Sequence, residues 1–163
     1  MRSASLFIVG LCLQTVFLLA AVGCSKPQVA PLPAPDSLSL RFLALGDSYT
    51  IGELVGSLDR FPAQTTTLLK TMGIRMGPPQ YIAQTGWTSS DLQNAISQSD
   101  LLPGYDIVSL LIGVNDQYRG LDTAGYRKRF TQLLQTAIQL AGNKTTHVFV
   151  LSIPDYGVTP FGG

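Results

Sequence analysis

The chain has 163 residues, enough for one domain, with 13% charged residues and a formal net charge of +1. It has no basic stripe and no interleaving of aromatic with basic residues, which excludes nucleic acid as an expected partner. One histidine and two cysteines cannot build a structural zinc site, and neither glycine-rich phosphate pattern is present, so no metal or cofactor is expected.

At the N-terminus Arg2 precedes a largely apolar stretch, Leu6 to Val22, in which Gln14 and Thr15 are the polar interruptions. A charged start and a short apolar run make a secretory signal. The run closes in Ala20-Ala21-Val22-Gly23-Cys24, which resembles the cleavage site of bacterial lipoproteins, with Ala21 where leucine is preferred. The resemblance implies a signal over residues 1–24 and a lipidated Cys24 as mature N-terminus. It also implies export, with the protein held by lipid to a bacterial membrane on the periplasmic or cell-surface side; an uncleaved anchor is the alternative. Residues 25–37 contain Pro27, Pro31, Pro33 and Pro35 and read as an extended tether. The folded domain is expected over residues 38–163; it has no cysteine, so disulfide and thiol chemistry are excluded.

Within the domain, strand and helix signals alternate. Leu40 to Leu45 reads as a strand ending in Gly46-Asp47-Ser48-Tyr49-Thr50. A helix over Ala63 to Met72 closes at Gly73, and Tyr81 to Ala83 is a short strand. Thr88-Ser89-Ser90-Asp91 is a capping box that opens a helix bearing Leu92 and Ile96. Ile107 to Ile112 is the third strand and ends in Gly113-Val114-Asn115-Asp116. Asp122 caps a long helix with Tyr126, Phe130, Leu133, Leu134, Ala137, Ile138 and Ala141 on one face and Gly142 as its stop. Val148 to Ile153 is a fourth strand, broken by Pro154. Such alternation implies an α/β fold with a parallel sheet, and continuous apolar strands imply helices on both faces: a flavodoxin-like three-layer αβα sandwich.

Gly46-Asp47-Ser48, Gly86 and Gly113-Val114-Asn115-Asp116, taken singly, are ordinary turns. Together, in this order after three successive strands, they resemble the first three sequence blocks of the SGNH or GDSL-type esterases and lipases, over about Leu43 to Tyr156. Tyr49 stands where that family's motif has leucine. The resemblance implies an SGNH hydrolase fold and a serine esterase that cleaves small ester substrates through an acyl-serine intermediate without a cofactor. Ser48 would be the nucleophile, with the N–H groups of Ser48 and Gly86 and the side-chain amide of Asn115 forming the oxyanion hole. The residue types agree with these roles. A serine at a strand end can aim its N–H at substrate, a glycine admits close approach, and an asparagine donates where an aspartate would repel. Asp47 and Asp116 read as turn-stabilising carboxylates.

The histidine, His147, precedes Val148 at the start of the fourth strand. Seven residues at about 3.3 Å each put it roughly 23 Å from the strand's carboxyl end, too far to serve Ser48 as general base. In the resembled family the base and its acid come from a later Asp-x-x-His block, which is not found after Asp155. The expectation is a domain lacking its last strand and helix, which leaves Val148 to Ile153 as an exposed apolar edge. The rival reading is a non-catalytic ligand-binding lipoprotein on a degenerate SGNH fold. Oligomeric state is not legible.

Overall fold

A computed structural model describes Ser39–Asp155. The signal, the tether and Cys24 lie outside the described residues. Four strands, β1 (Phe42–Gly46), β2 (Gln80–Ala83), β3 (Ile107–Leu111) and β4 (Val148–Val150), form a parallel sheet in the order β2-β1-β3-β4. Between them run the helices α1 (Ser48–Ile51), α2 (Phe61–Thr71), α3 (Ser89–Ser97), α4 (Val114–Tyr118) and α5 (Thr123–Leu140). This is the expected three-layer α/β arrangement with flavodoxin-like strand order.

The apolar continuity of β1 has a direct cause. Its side chains alternate between two cores, one on each face of the sheet. Leu43 and Leu45 point into the larger core with Val108 and Leu110 of β3, Leu92 of α3 and Leu133, Ala137 and Leu140 of α5. Phe42 and Ala44 point the other way, onto Met76 and, in α2, Phe61 and Leu69. On α5 the expected stripe holds for Leu133, Ala137 and Ala141, which are buried.

Three boundaries differ from the sequence reading by two residues or more. The second helix starts at Phe61 rather than Ala63, because Pro62 sits in its first turn, where a missing N–H costs no helical hydrogen bond. The first strand starts at Phe42, Leu40 forming only an isolated bridge to Met76. The fourth strand ends at Val150 rather than Ile153, with one further bond from Leu151 N–H to the Leu110 carbonyl. Its partner stops there: β3 ends at Leu111 and turns into Gly113. Among the described residues β4 is an edge of the sheet, the exposed apolar edge that the sequence reading expects at Val148 to Ile153. Phe149 and Val150 are half exposed.

Among the described residues no helix is long and apolar enough to cross a membrane.

Candidate active site

The strand register brings the three sequence blocks to one edge. Gly46 is level with Ala83 of β2 and with Leu111 of β3, so Ser48, Gly86 and Asn115 follow three neighbouring strand ends. The chain leaves β1 for β2 on one side and later reaches β3 on the other. Ser48 and Asn115 therefore flank a topological switch point, where open α/β sheets bind ligands.

Ser48 is the first residue of α1 and is half-buried. Asp47 caps that helix, its Oδ1 accepting from Tyr49 N–H at 3.0 Å. The Tyr49, Thr50 and Ile51 N–H groups all turn back onto Asp47, while no described residue engages the N–H of Ser48. Asp47 is fully buried and its Oδ2 has no partner among the described residues. Burial pushes its pKa from 3.8 up to about 6, opposed by the Tyr49 N–H and reinforced slightly by Asp116.

Gly86 lies three residues past β2, in a turn closed by Trp87 N–H on the Gln84 carbonyl at 3.3 Å. Its φ of +79° is the left-handed conformation that favours glycine. This turn is fastened from three directions. Asn115 Nδ2 donates to the Trp87 carbonyl at 2.9 Å, and Arg119 Nη2 to the Gly86 carbonyl at 2.6 Å. The Thr85 hydroxyl donates to the Glu53 carboxylate in the loop after Ser48. A carbonyl can only accept, so the Trp87 bond fixes the Asn115 amide with its nitrogen toward the turn and leaves a second N–H on that nitrogen.

Asp116 does not stabilise a turn, as its position in sequence suggests. It is buried and accepts from Ser89 N–H at 2.7 Å, from Ser89 Oγ at 2.6 Å and from Arg129 Nη2 at 3.3 Å. Arg129 Nε also donates to Ser89 Oγ at 2.8 Å. The network locks α3, α4 and α5 together beneath the turn and keeps Asn115, one residue away, in place. Just above it Tyr126 donates to the Ile112 carbonyl at 3.1 Å. Its ring comes so near Gly113, where φ is +134°, that a Cβ would meet the tyrosine oxygen at 2.6 Å. Burial, then Asp116 and Asp47, raise the Tyr126 pKa.

Sequence reasoning missed Ser89, Arg119 and Arg129. Arg129 carried a signal: it lies four residues before buried Leu133, hence on the inward side of α5. For Arg119 there was none. His147 stands where strand direction places it, at the opposite edge. Val148 is level with Val108 and Leu43, so the imidazole is level with the start of β1, and the rise to Gly46 alone is about 13 Å.

A parallel three-layer sheet with a serine leaving β1 and an asparagine leaving β3 at the switch point is the SGNH hydrolase fold. The model of the GDSL-like Lipase/Acylhydrolase family matches residues 44–163, and the chain belongs to that family. Among solved structures it is similar to AlinE4, an SGNH-hydrolase family esterase, at 22% identity and a TM-score of 0.55, covering 69% of this chain and 58% of that one. It is also similar to TesA, at 19% identity and a TM-score of 0.55, over 75% of this chain and 66% of that one. A third is the lipase/acylhydrolase from Enterococcus faecalis, at 22% identity and a TM-score of 0.54, over 72% and 60%. At such identities the likeness establishes the fold alone. The chain spans about three-fifths of the length of AlinE4 and of the Enterococcus faecalis enzyme. No curated protein sequence matches it.

Proposed function

We propose that this protein is a serine ester hydrolase acting on small ester substrates. Ser48 Oγ attacks the ester carbonyl carbon, the alcohol leaves, and water hydrolyses the acyl-serine. The oxyanion formed at each step is held by the N–H groups of Ser48 and Gly86 and by the Asn115 amide. The observation that supports this reading is the fastening of the Gly86 turn to Asn115, to Arg119 and to the loop after Ser48, which ties together the segments that follow three neighbouring strand ends. His147 is not the base that takes the Ser48 proton, for the reason of strand level given above. Labelling the full protein with a fluorophosphonate tests the assignment: mass spectrometry should place the adduct on Ser48, and Ser48→Ala should abolish it. An adduct elsewhere refutes it.

The same protein is proposed to be exported and anchored through a lipid on Cys24, because small residues precede that cysteine and a proline-rich segment follows it. Cys24→Ser should block processing of the precursor and release or misplace the protein. Normal processing with membrane retention refutes this.

A further inference from the structure

Half of the large apolar side chains that the described residues leave exposed lie in the two segments that follow the strand ends of the site: Tyr49, Leu54, Val55 and Leu58 after β1, Tyr118 and Leu121 after β3. Leu54 is the extreme case. It is 98% exposed, and its φ of +66° holds a leucine in the left-handed conformation, which disfavours any side chain with a Cβ. Backbone strain of this kind persists where the surroundings impose it and gathers at sites of function. Here the surroundings are explicit. Glu53 N–H donates to the Ser48 carbonyl at 3.0 Å and Val55 N–H to the Gly52 carbonyl at 3.2 Å. The Glu53 carboxylate accepts from Thr85 beside Gly86. Leu54 is thus held outward by a loop tied both to the candidate nucleophile and to the candidate oxyanion turn.

The charge of this rim is balanced: Glu53 and Asp59 stand beside Arg60 after β1, and Arg119 lies between Tyr118 and Leu121 after β3. What the loop after Ser48 presents without charge is Leu54, Val55 and Leu58, and a hydrocarbon chain loses water on contact with them at no electrostatic cost.

We propose that Leu54, with Val55 and Leu58, contacts the acyl chain of the ester attacked at Ser48, so that chains of medium length are preferred to acetyl groups. The proposal rests on the Ser48 assignment above. The test uses the full protein and compares parent, Leu54→Asn, Leu58→Asn and Ser48→Ala; asparagine tolerates the left-handed backbone at position 54. The ratio of kcat/KM for p-nitrophenyl decanoate to that for p-nitrophenyl acetate should fall about tenfold in Leu54→Asn, the scale of a lost hydrophobic contact, and fall also in Leu58→Asn. Binding of 1-decanol, followed by the fluorescence of the single tryptophan Trp87, should weaken in parallel. An unchanged ratio, with Ser48→Ala abolishing both hydrolyses, overturns the proposal and leaves the Ser48 assignment standing. Hydrolysis that survives Ser48→Ala, or is absent from the parent, overturns that assignment instead. Decanol binding then decides the loop: equal affinity in parent and Leu54→Asn removes the contact, and weakened affinity retains it.

Discussion

Asp47→Asn isolates the electrostatic cost of building the Ser48 turn. The carboxyl is fully buried, one oxygen accepts from Tyr49 N–H, and the other has no partner among the described residues. Burial raises its pKa from 3.8 to about 6, so the folded chain holds this proton more tightly than the unfolded chain does. Stability from that proton is complete below about pH 4 and is lost as the pH rises through about 6, a difference of about 3 kcal/mol. Asparagine keeps an oxygen for the Tyr49 N–H but cannot ionise, so the variant escapes the loss. Urea unfolding followed by circular dichroism from pH 3.5 to 8 should show the stability of Asp47→Asn relative to parent increasing by about 3 kcal/mol between about pH 4 and pH 7, then levelling. A difference that does not vary with pH, or one that grows in the parent's favour, would refute the reasoning.

Gly46→Ala should cost about 3 kcal/mol or more in a thermal melt, because the new methyl would lie 2.0 Å from Thr50 Oγ1 and 2.3 Å from the Leu111 carbonyl oxygen, and the latter is backbone. A shift in Tm of under two degrees would show that β1 and β3 yield more easily than parallel ladders should. Arg129→Ala strips the buried Asp116 of its cation and should destabilise by about 3 kcal/mol in urea unfolding. Arg129→Lys should recover only part of this, since one ammonium cannot reproduce the fork to Ser89 and Asp116; full recovery by lysine would refute the shared fork. His147→Gln in the full protein should leave ester hydrolysis within about threefold of parent, against a loss on the order of 10³ or more for a triad member. A loss of that size would mean that His147 acts in catalysis.

The fold was legible because each strand and helix carried its own signal. β1 is apolar throughout, and β3 apolar but for the buried Ser109, because both their faces are covered, α5 repeats apolar side chains at helical spacing, and Thr88 with Asp91 forms the capping box its sequence announces. At β4 the exposed apolar edge expected for Val148 to Ile153 is present among the described residues, where Phe149 and Val150 stand half exposed. The three blocks after β1, β2 and β3 could likewise be read in order, since turn residues at strand ends are local features.

The sequence by itself determined the turns that follow β1, β2 and β3, the direction that carries His147 away from them, and the apolar residues of the loop after Ser48. Only the tertiary structure decided what holds those strand ends together. Arg119 on the Gly86 carbonyl, Asn115 on the Trp87 carbonyl and the Ser89–Asp116–Arg129 network join residues from 13 to 40 positions apart. Such contacts leave no periodicity in the chain, because they are made by single polar side chains that meet only once the helices have packed. The orphaned oxygen of Asp47 and the outward strain at Leu54 are of the same kind: burial and backbone angle belong to the assembled sheet edge, not to any one residue along it.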